Sequence, residues 1–188
     1  MPVNPAEIIK KYYAPHPDAY EFLMAHAGMV TKKALEIGRS VPHLNPFLKF
    51  IEEAAMLHDI GIFLTNAPGI GCHGDKPYIC HGYLGRELLE KEGFEAHALV
   101  CERHVGVGLT VKDIIKKNFP MPRRDMTPKS IEEKIICFAD KFFSKSGYPL
   151  KEKPLHVVRK QIEAFGADKL KVFDAWAEIF KEGVPPAV

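Results

Sequence analysis

Nowhere does this sequence hold a run of about 18 apolar residues, the length needed to cross a bilayer as a helix. The amino-terminal stretch Met1-Pro-Val-Asn-Pro5 also lacks the charged and apolar regions of a signal peptide. The cytosol is therefore the expected compartment, and no membrane partner is expected. Charge of one sign is scarce as well: the net charge is +2, with no long basic or acidic block. A nucleic-acid polymer is not an expected partner, because neutralising its backbone takes clustered Lys and Arg. The densest basic spot, Arg123-Arg124 between two prolines, is long enough to meet one phosphate and no more. Also missing are a phosphate-cradling Gly-rich loop ending in Lys-Ser/Thr and a nucleophile-elbow serine. Gly69-Ile-Gly71 and Gly106-Val-Gly108 do not follow a strand and open a helix as a dinucleotide fingerprint must.

Four cysteines among 188 residues are too few for a disulfide scaffold, and a chain of this length buries enough surface to fold without one. Cys101 and Cys137 sit inside apolar helical patterns and read as small core residues. Cys72-His73 and Cys80-His81 do not make a zinc knuckle. Zinc ligands stand two to four residues apart within a pair, whereas adjacent side chains splay.

What the sequence does have is helical periodicity, with no sustained period-two alternation, so an all-α domain is expected. Asp18-Ala-Tyr-Glu21 resembles a capping box opening a long helix that runs to about Gly38. A second helix follows Asn45-Pro46 and reaches His58-Asp59 before Gly61 stops it. The Gly-rich segment 66–77 is too broken for regular structure and is the expected rim of a pocket, with the loop 119–128 as a second determinant of specificity. Further helices are expected over 78–92, 95–104 and 111–117. Thr127-Pro128 then opens a strong helix, with Ser130 and Glu133 offering another cap. Two last helices cover 154–165 and 168–181. With no repeat or linker, 1–188 reads as one domain: a core at 18–146, with C-terminal helices at 154–182 packing on it. Trp176, Phe165, Phe173 and Phe180 have helical spacing and read as core packing or a homodimer face.

Several polar residues fall on the apolar stripes. His58 shares a face with Ile51, Ala54 and Ala55, and His26 lies among Phe22, Leu23, Met29 and Val30. Asp140 follows Ile136 and Cys137 and precedes Phe143, where an ionised carboxylate is costly unless a cation or a hydrogen-bond network compensates it. His81 leads Leu84, Gly85 and Leu88, and His104 follows Val100 and Cys101. His97 shares that last face and reads as an exposed or capping histidine. A shared metal removes the conflict at His26, His58, Asp59 and Asp140, and with His81 and His104 the donors suffice for two metals. Mixed imidazole and carboxylate donors suit iron, manganese, zinc or nickel.

The run Glu53-Ala-Ala-Met-Leu-His-Asp-Ile-Gly61 resembles the namesake motif of the HD superfamily. An upstream His26 and a downstream Phe138-Ala-Asp-Lys141 accompany it. His81-Gly-Tyr-Leu-Gly85 and Arg103-His-Val-Gly106 are similar to the extra histidines of its bimetallic branches. The resemblance implies a helical bundle in which His26, His58, Asp59 and Asp140 hold a first metal and His81 and His104 serve a second. It also implies a phosphohydrolase of small molecules, with nucleotides and dinucleotides the leading substrate class. Asp59 is then ligand and proton acceptor, while Lys141 and Arg103 are candidates to hold phosphate. The Gly-Tyr-Pro motif of the cyclic-dinucleotide branch is missing after His104; Gly147-Tyr-Pro149 lies downstream of Asp140 instead. Two other readings share the resemblance: a di-iron oxygenase with the same ligands, and a catalytically silent metal- or nucleotide-binding sensor.

Overall fold

The computed structural model describes residues 3–144 and 151–181. Gly147-Tyr-Pro149 lies outside them. Nine α-helices form among the described residues: α1 Pro5–Tyr13, α2 Pro17–Ser40, α3 Leu48–Leu57, α4 His81–Lys91, α5 Glu95–Arg103, α6 Val111–Lys116, α7 Ile131–Asp140, α8 Leu155–Glu163 and α9 Ala167–Ile179. The fold is all-α, as expected. No helix among the described residues is long and apolar enough to cross a membrane.

Helix α1 precedes the first helix expected from the sequence. The Asn4 side chain accepts a hydrogen bond from the Glu7 amide at 3.4 Å, and Pro5 stands at the first helical position, where its missing N–H costs nothing. The helix buries Ile8, Ile9 and Tyr13. Proline also corrects the start of α2. Pro17 opens that helix after His16, which makes no side-chain cap, and Asp18 lies inside the first turn, where the helix dipole favours it. The expected capping box does not form. Helix α7 starts later than expected, at Ser130, whose hydroxyl accepts from the Glu133 amide at 3.1 Å. Met126 and Leu109 exchange backbone hydrogen bonds of 2.8 and 2.9 Å, which pins the chain in extended form just before Thr127-Pro128.

The segment 66–77 contains a two-residue antiparallel ladder, β1 Asn66–Ala67 with β2 Cys72–His73, paired Asn66 to His73 and Ala67 to Cys72. None of its residues lines the cavity beside the polar cluster described below. Gly71, at φ +73°, presses so closely on the start of α2 that a Cβ there would lie 2.6 Å from Asp18 Cβ.

Helices α2, α3 and α7 pack together, α4 pairs with α5, and α8 with α9. Two apolar clusters result. One gathers Val30, Ile51, Phe138, Phe142, Phe173 and Phe180; the other gathers Ile9, Tyr13, Leu23, Leu57, Ile60 and Cys101. Phe173, Trp176 and Phe180 are buried in the first cluster, which joins α9 to α7, whereas Phe165 is 65% exposed. Helices α2 and α3 feed both clusters, and the polar residues of interest lie where they meet.

Candidate metal centre

Five of the six expected donor residues stand at helix ends or beside them, where backbone groups lack intrahelical partners. His58 caps α3, His104 caps α5, His81 opens α4, Asp140 ends α7, and Asp59 follows His58. Only His26 lies mid-helix. Three imidazoles use the same device. The Nδ1 of His58, His81 and His104 lies 2.6, 2.6 and 2.7 Å from the carbonyl three residues earlier, on Ala55, Tyr78 and Cys101. A carbonyl only accepts, so Nδ1–H must donate, and this fixes the tautomer and turns Nε2 inward. Metal-binding histidines are commonly oriented this way by a carbonyl on the other nitrogen.

The inward atoms converge. His26 Nε2 lies 3.0 Å from Asp140 Oδ1 and 3.3 Å from Asp59 Oδ2, and His58 Nε2 lies 3.5 and 3.4 Å from the same two oxygens. On the other side of Asp59, Oδ1 is 3.3 Å from His81 Nε2 and 3.1 Å from His104 Nε2, and those two nitrogens are 3.1 Å apart. The structure therefore assembles two donor sets that share one carboxylate: His26, His58, Asp59 and Asp140, and Asp59, His81 and His104. All six residues are buried, with His26, His58 and Asp59 wholly so.

Such an arrangement fits a cation. Donors at about 2.1 Å from one ion stand roughly 3.0 to 3.4 Å from each other, close to the spacings here. Nε2 atoms fixed as lone-pair carriers face carboxylate oxygens, an acceptor against an acceptor, which only a proton or a metal reconciles. His58 shows the need: burial pushes its pKa down, but the Asp59 and Asp140 carboxylates outweigh this and raise it to about 9. The two carboxylates thus favour positive charge beside the His58 ring.

The surroundings tie the donors to the fold. The Tyr13 hydroxyl donates to the Ile60 carbonyl at 2.9 Å, fixing the chain just past Asp59. The Cys101 thiol donates to the Leu57 carbonyl at 3.1 Å. Phe22 stacks on His26 with centroids 5.9 Å apart, and Tyr78 covers His81 at 4.6 Å. Lys141 reaches the centre from outside: its Nζ is 2.7 Å from Asp140 Oδ2 and donates to the His104 carbonyl at 3.0 Å. Arg103 does not join it. Its guanidinium bonds Glu133, in the first turn of α7, at 2.8 Å, because adjacent residues at a helix end diverge.

A cavity of about 240 Å³ opens beside the second donor set, with His81, His104, Asp140 and Lys141 in its wall. Tyr78, Lys153 and Gln161 also line it, and sequence reasoning found none of them. Tyr78 carried a signal, standing three residues before His81; Lys153 and Gln161 carried none. Burial depresses the Lys153 ammonium, opposed by Asp140 and reinforced by Lys141. His97 corrects another expectation. It is buried between α3 and α5, with Nε2 3.3 Å from Glu53 Oε2 and its ring 4.8 Å from Phe50.

A helical bundle of this kind, closed around a His/Asp cluster, defines a class of metal-site proteins. The HD domain family matches residues 23–144, and the chain belongs to that family. An uncharacterized protein of Methanocaldococcus jannaschii is 32% identical over 123 residues, covering 64% of this chain and 65% of that one. The tRNA (cytidine(56)-2'-O)-methyltransferase of Picrophilus torridus is 28% identical over 155 residues, 77% of this chain and 40% of that protein. The chain thus spans less than two thirds of the length of either relative. Among solved structures, the HD domain of the L. monocytogenes phosphodiesterase PgpH shares the fold. Its TM-score is 0.52 at 16% identity, covering 90% of this chain and 94% of that domain.

Proposed function

We propose that this chain is a metal-dependent phosphohydrolase that cleaves a phosphate ester or anhydride of a small molecule. The observation that carries the reading is the Asp59 carboxylate shared by two donor sets, with one oxygen in each. Divalent ions bound there would supply an activated water and neutralise phosphoryl charge. His26, His58, Asp59 and Asp140 are the residues to hold one ion, and Asp59, His81 and His104 the other. Iron, manganese, zinc and nickel all suit these donors.

The chain's own groups do the rest. Asp59 accepts the proton of the attacking water while the water's oxygen bonds to phosphorus and the bond to the leaving oxygen breaks, and that proton then passes to the leaving oxygen. Lys141 offers a cation at the cavity wall for the phosphoryl oxygens, at the cost of loosening its contact with Asp140. The cavity, about 240 Å³ and walled by helix ends, favours a small phosphorylated molecule over a polymer. The name of the PgpH neighbour, a phosphodiesterase, is in keeping with this chemistry.

The test is elemental analysis of the purified protein, then phosphate release from a panel of phosphate esters and nucleotides by wild type and Asp59→Ala. Loss of both metal and turnover in the variant is the expected result. A variant that keeps both refutes the assignment, and two irons with oxygen consumption and no phosphate release point to an oxygenase instead.

A further inference from the structure

The cavity at the metal centre does not end at the lysines. A second space of about 170 Å³ continues from it, and Ile79, Val105, Gly106, Ile162 and Phe165 border both. Val107, Leu109 and Phe119 complete its apolar walls. The polar groups on its border stand paired or stacked: Asp113 and Lys169 form an ion pair, and the Lys117 ammonium lies 5.8 Å from the Phe165 ring centroid. Sugar hydroxyls lying against the apolar walls would lose water there with only the already paired or stacked Asp113, Lys169 and Lys117 at the border to replace it. An apolar cavity of about 150 Å³ holds a benzene ring.

In the wall of the first cavity stands Lys153, its segment held by four contacts that the sequence does not announce. Its amide donates to the Phe142 carbonyl at 2.8 Å, Phe143 and Glu152 pair across an antiparallel bridge, and Glu152 meets buried Lys33 at 2.6 Å. Its ammonium donates to Gln161 Oε1 at 2.8 Å. The ammonium is thus fixed in the wall shared with His81, His104, Asp140 and Lys141.

We propose that this slot receives the organic group of the substrate, an apolar ring, and that Lys153 holds the phosphate end at the metal centre. This rests on the phosphohydrolase reading and names its substrate class: a phosphate ester of a flat, apolar alcohol rather than of a polyol.

The test uses benzylphosphonate, an unreactive isostere of phenyl phosphate, and methylphosphonate, titrated by calorimetry into the full chain loaded with manganese. Benzylphosphonate binds about tenfold or more tighter, as expected for burying one ring. Phe165→Ala, at an exposed position that leaves the core intact, lowers that ratio by about threefold, and Leu109→Trp, which fills the slot, brings it to about one. Lys153→Met weakens both ligands by about tenfold, and Lys153→Arg restores them, which a merely structural lysine would not require. A wild-type ratio near one, or a ratio that neither slot variant changes, overturns the slot. Equal affinities for Lys153→Met and wild type overturn the lysine's role. Phosphate release from phenyl phosphate, measured in parallel, separates the two readings. Discrimination in binding without release overturns the hydrolase and leaves the slot, whereas release without discrimination does the reverse.

Discussion

Gly61→Ala tests how the second donor set is held in place. Gly61 has φ −84° and ψ −1°, a conformation open to any residue, so its backbone does not demand glycine. Its surroundings do. A Cβ there would lie 2.4 Å from the His81 carbonyl oxygen, 2.5 Å from the Gly85 amide nitrogen and 3.0 Å from Gly85 Cα. These are backbone atoms of α4 and cannot swing aside as a side chain does. Restoring an ordinary contact of about 3.4 Å moves α4 by roughly 1 Å, and His81 is the first residue of that helix. Metal sites tolerate errors of about 0.2 Å in ligand position. The methyl group should therefore cost about 1–3 kcal/mol as overpacking, partly offset by about 0.4–1 kcal/mol from the stiffer unfolded chain. A net loss of about 1–2 kcal/mol lowers Tm by several degrees in a chain of this size. Metal content after dialysis, with thermal melts of the metal-free protein, gives the answer. The variant should keep the ion at His26, His58 and Asp140 and lose the one at His81 and His104. Two ions bound at wild-type affinity with an unchanged melt would refute the argument.

The shared carboxylate makes a stoichiometric prediction: His81→Ala binds one metal per chain and Asp59→Ala none, read by elemental analysis. Truncating Phe138, which packs wholly buried against Phe142, Phe173 and Phe180 at 5.2, 4.9 and 5.4 Å, should cost about 3–5 kcal/mol in chemical denaturation. A loss under about 1 kcal/mol would show that α9 does not depend on α7. Asp113 sets a pH dependence. Burial pushes its carboxyl up, but the Lys169 ammonium and Thr110 outweigh this and hold the pKa below the usual 3.8. A lowered pKa adds stability above the unfolded value that disappears as pH falls through the folded one. Asp113→Asn should thus lower Tm at pH 7 and approach wild type as pH falls through the folded value, and an equal deficit throughout would remove the ionic contribution.

The stripe argument located His26, His58 and Asp140 because periodicity reports which face of a helix is buried, and burial makes a polar residue conspicuous. At His97 the stripe marked the buried face, and the exposed or capping reading failed because the histidine meets Glu53 from the neighbouring helix, a pairing no local pattern encodes. Arg103 and Lys141 were equivalent candidates in sequence, each one residue from a donor. The distant Glu133 claimed the first, while the His104 carbonyl and Asp140 kept the second.

Local chemistry settled the element types and most of their spans. It also set the imidazole tautomers, since each of the three histidines bonds a carbonyl only three residues back. These are short-range interactions, and the chain carries them wherever it goes. Tertiary packing decided that Asp59 turns one oxygen to each donor set, that α4 lies against Gly61, and that Lys153 stands beside a centre whose other members lie up to 127 residues earlier. Those relations depend on how whole helices stack. That depends on the shapes of two buried clusters, which no window of sequence contains.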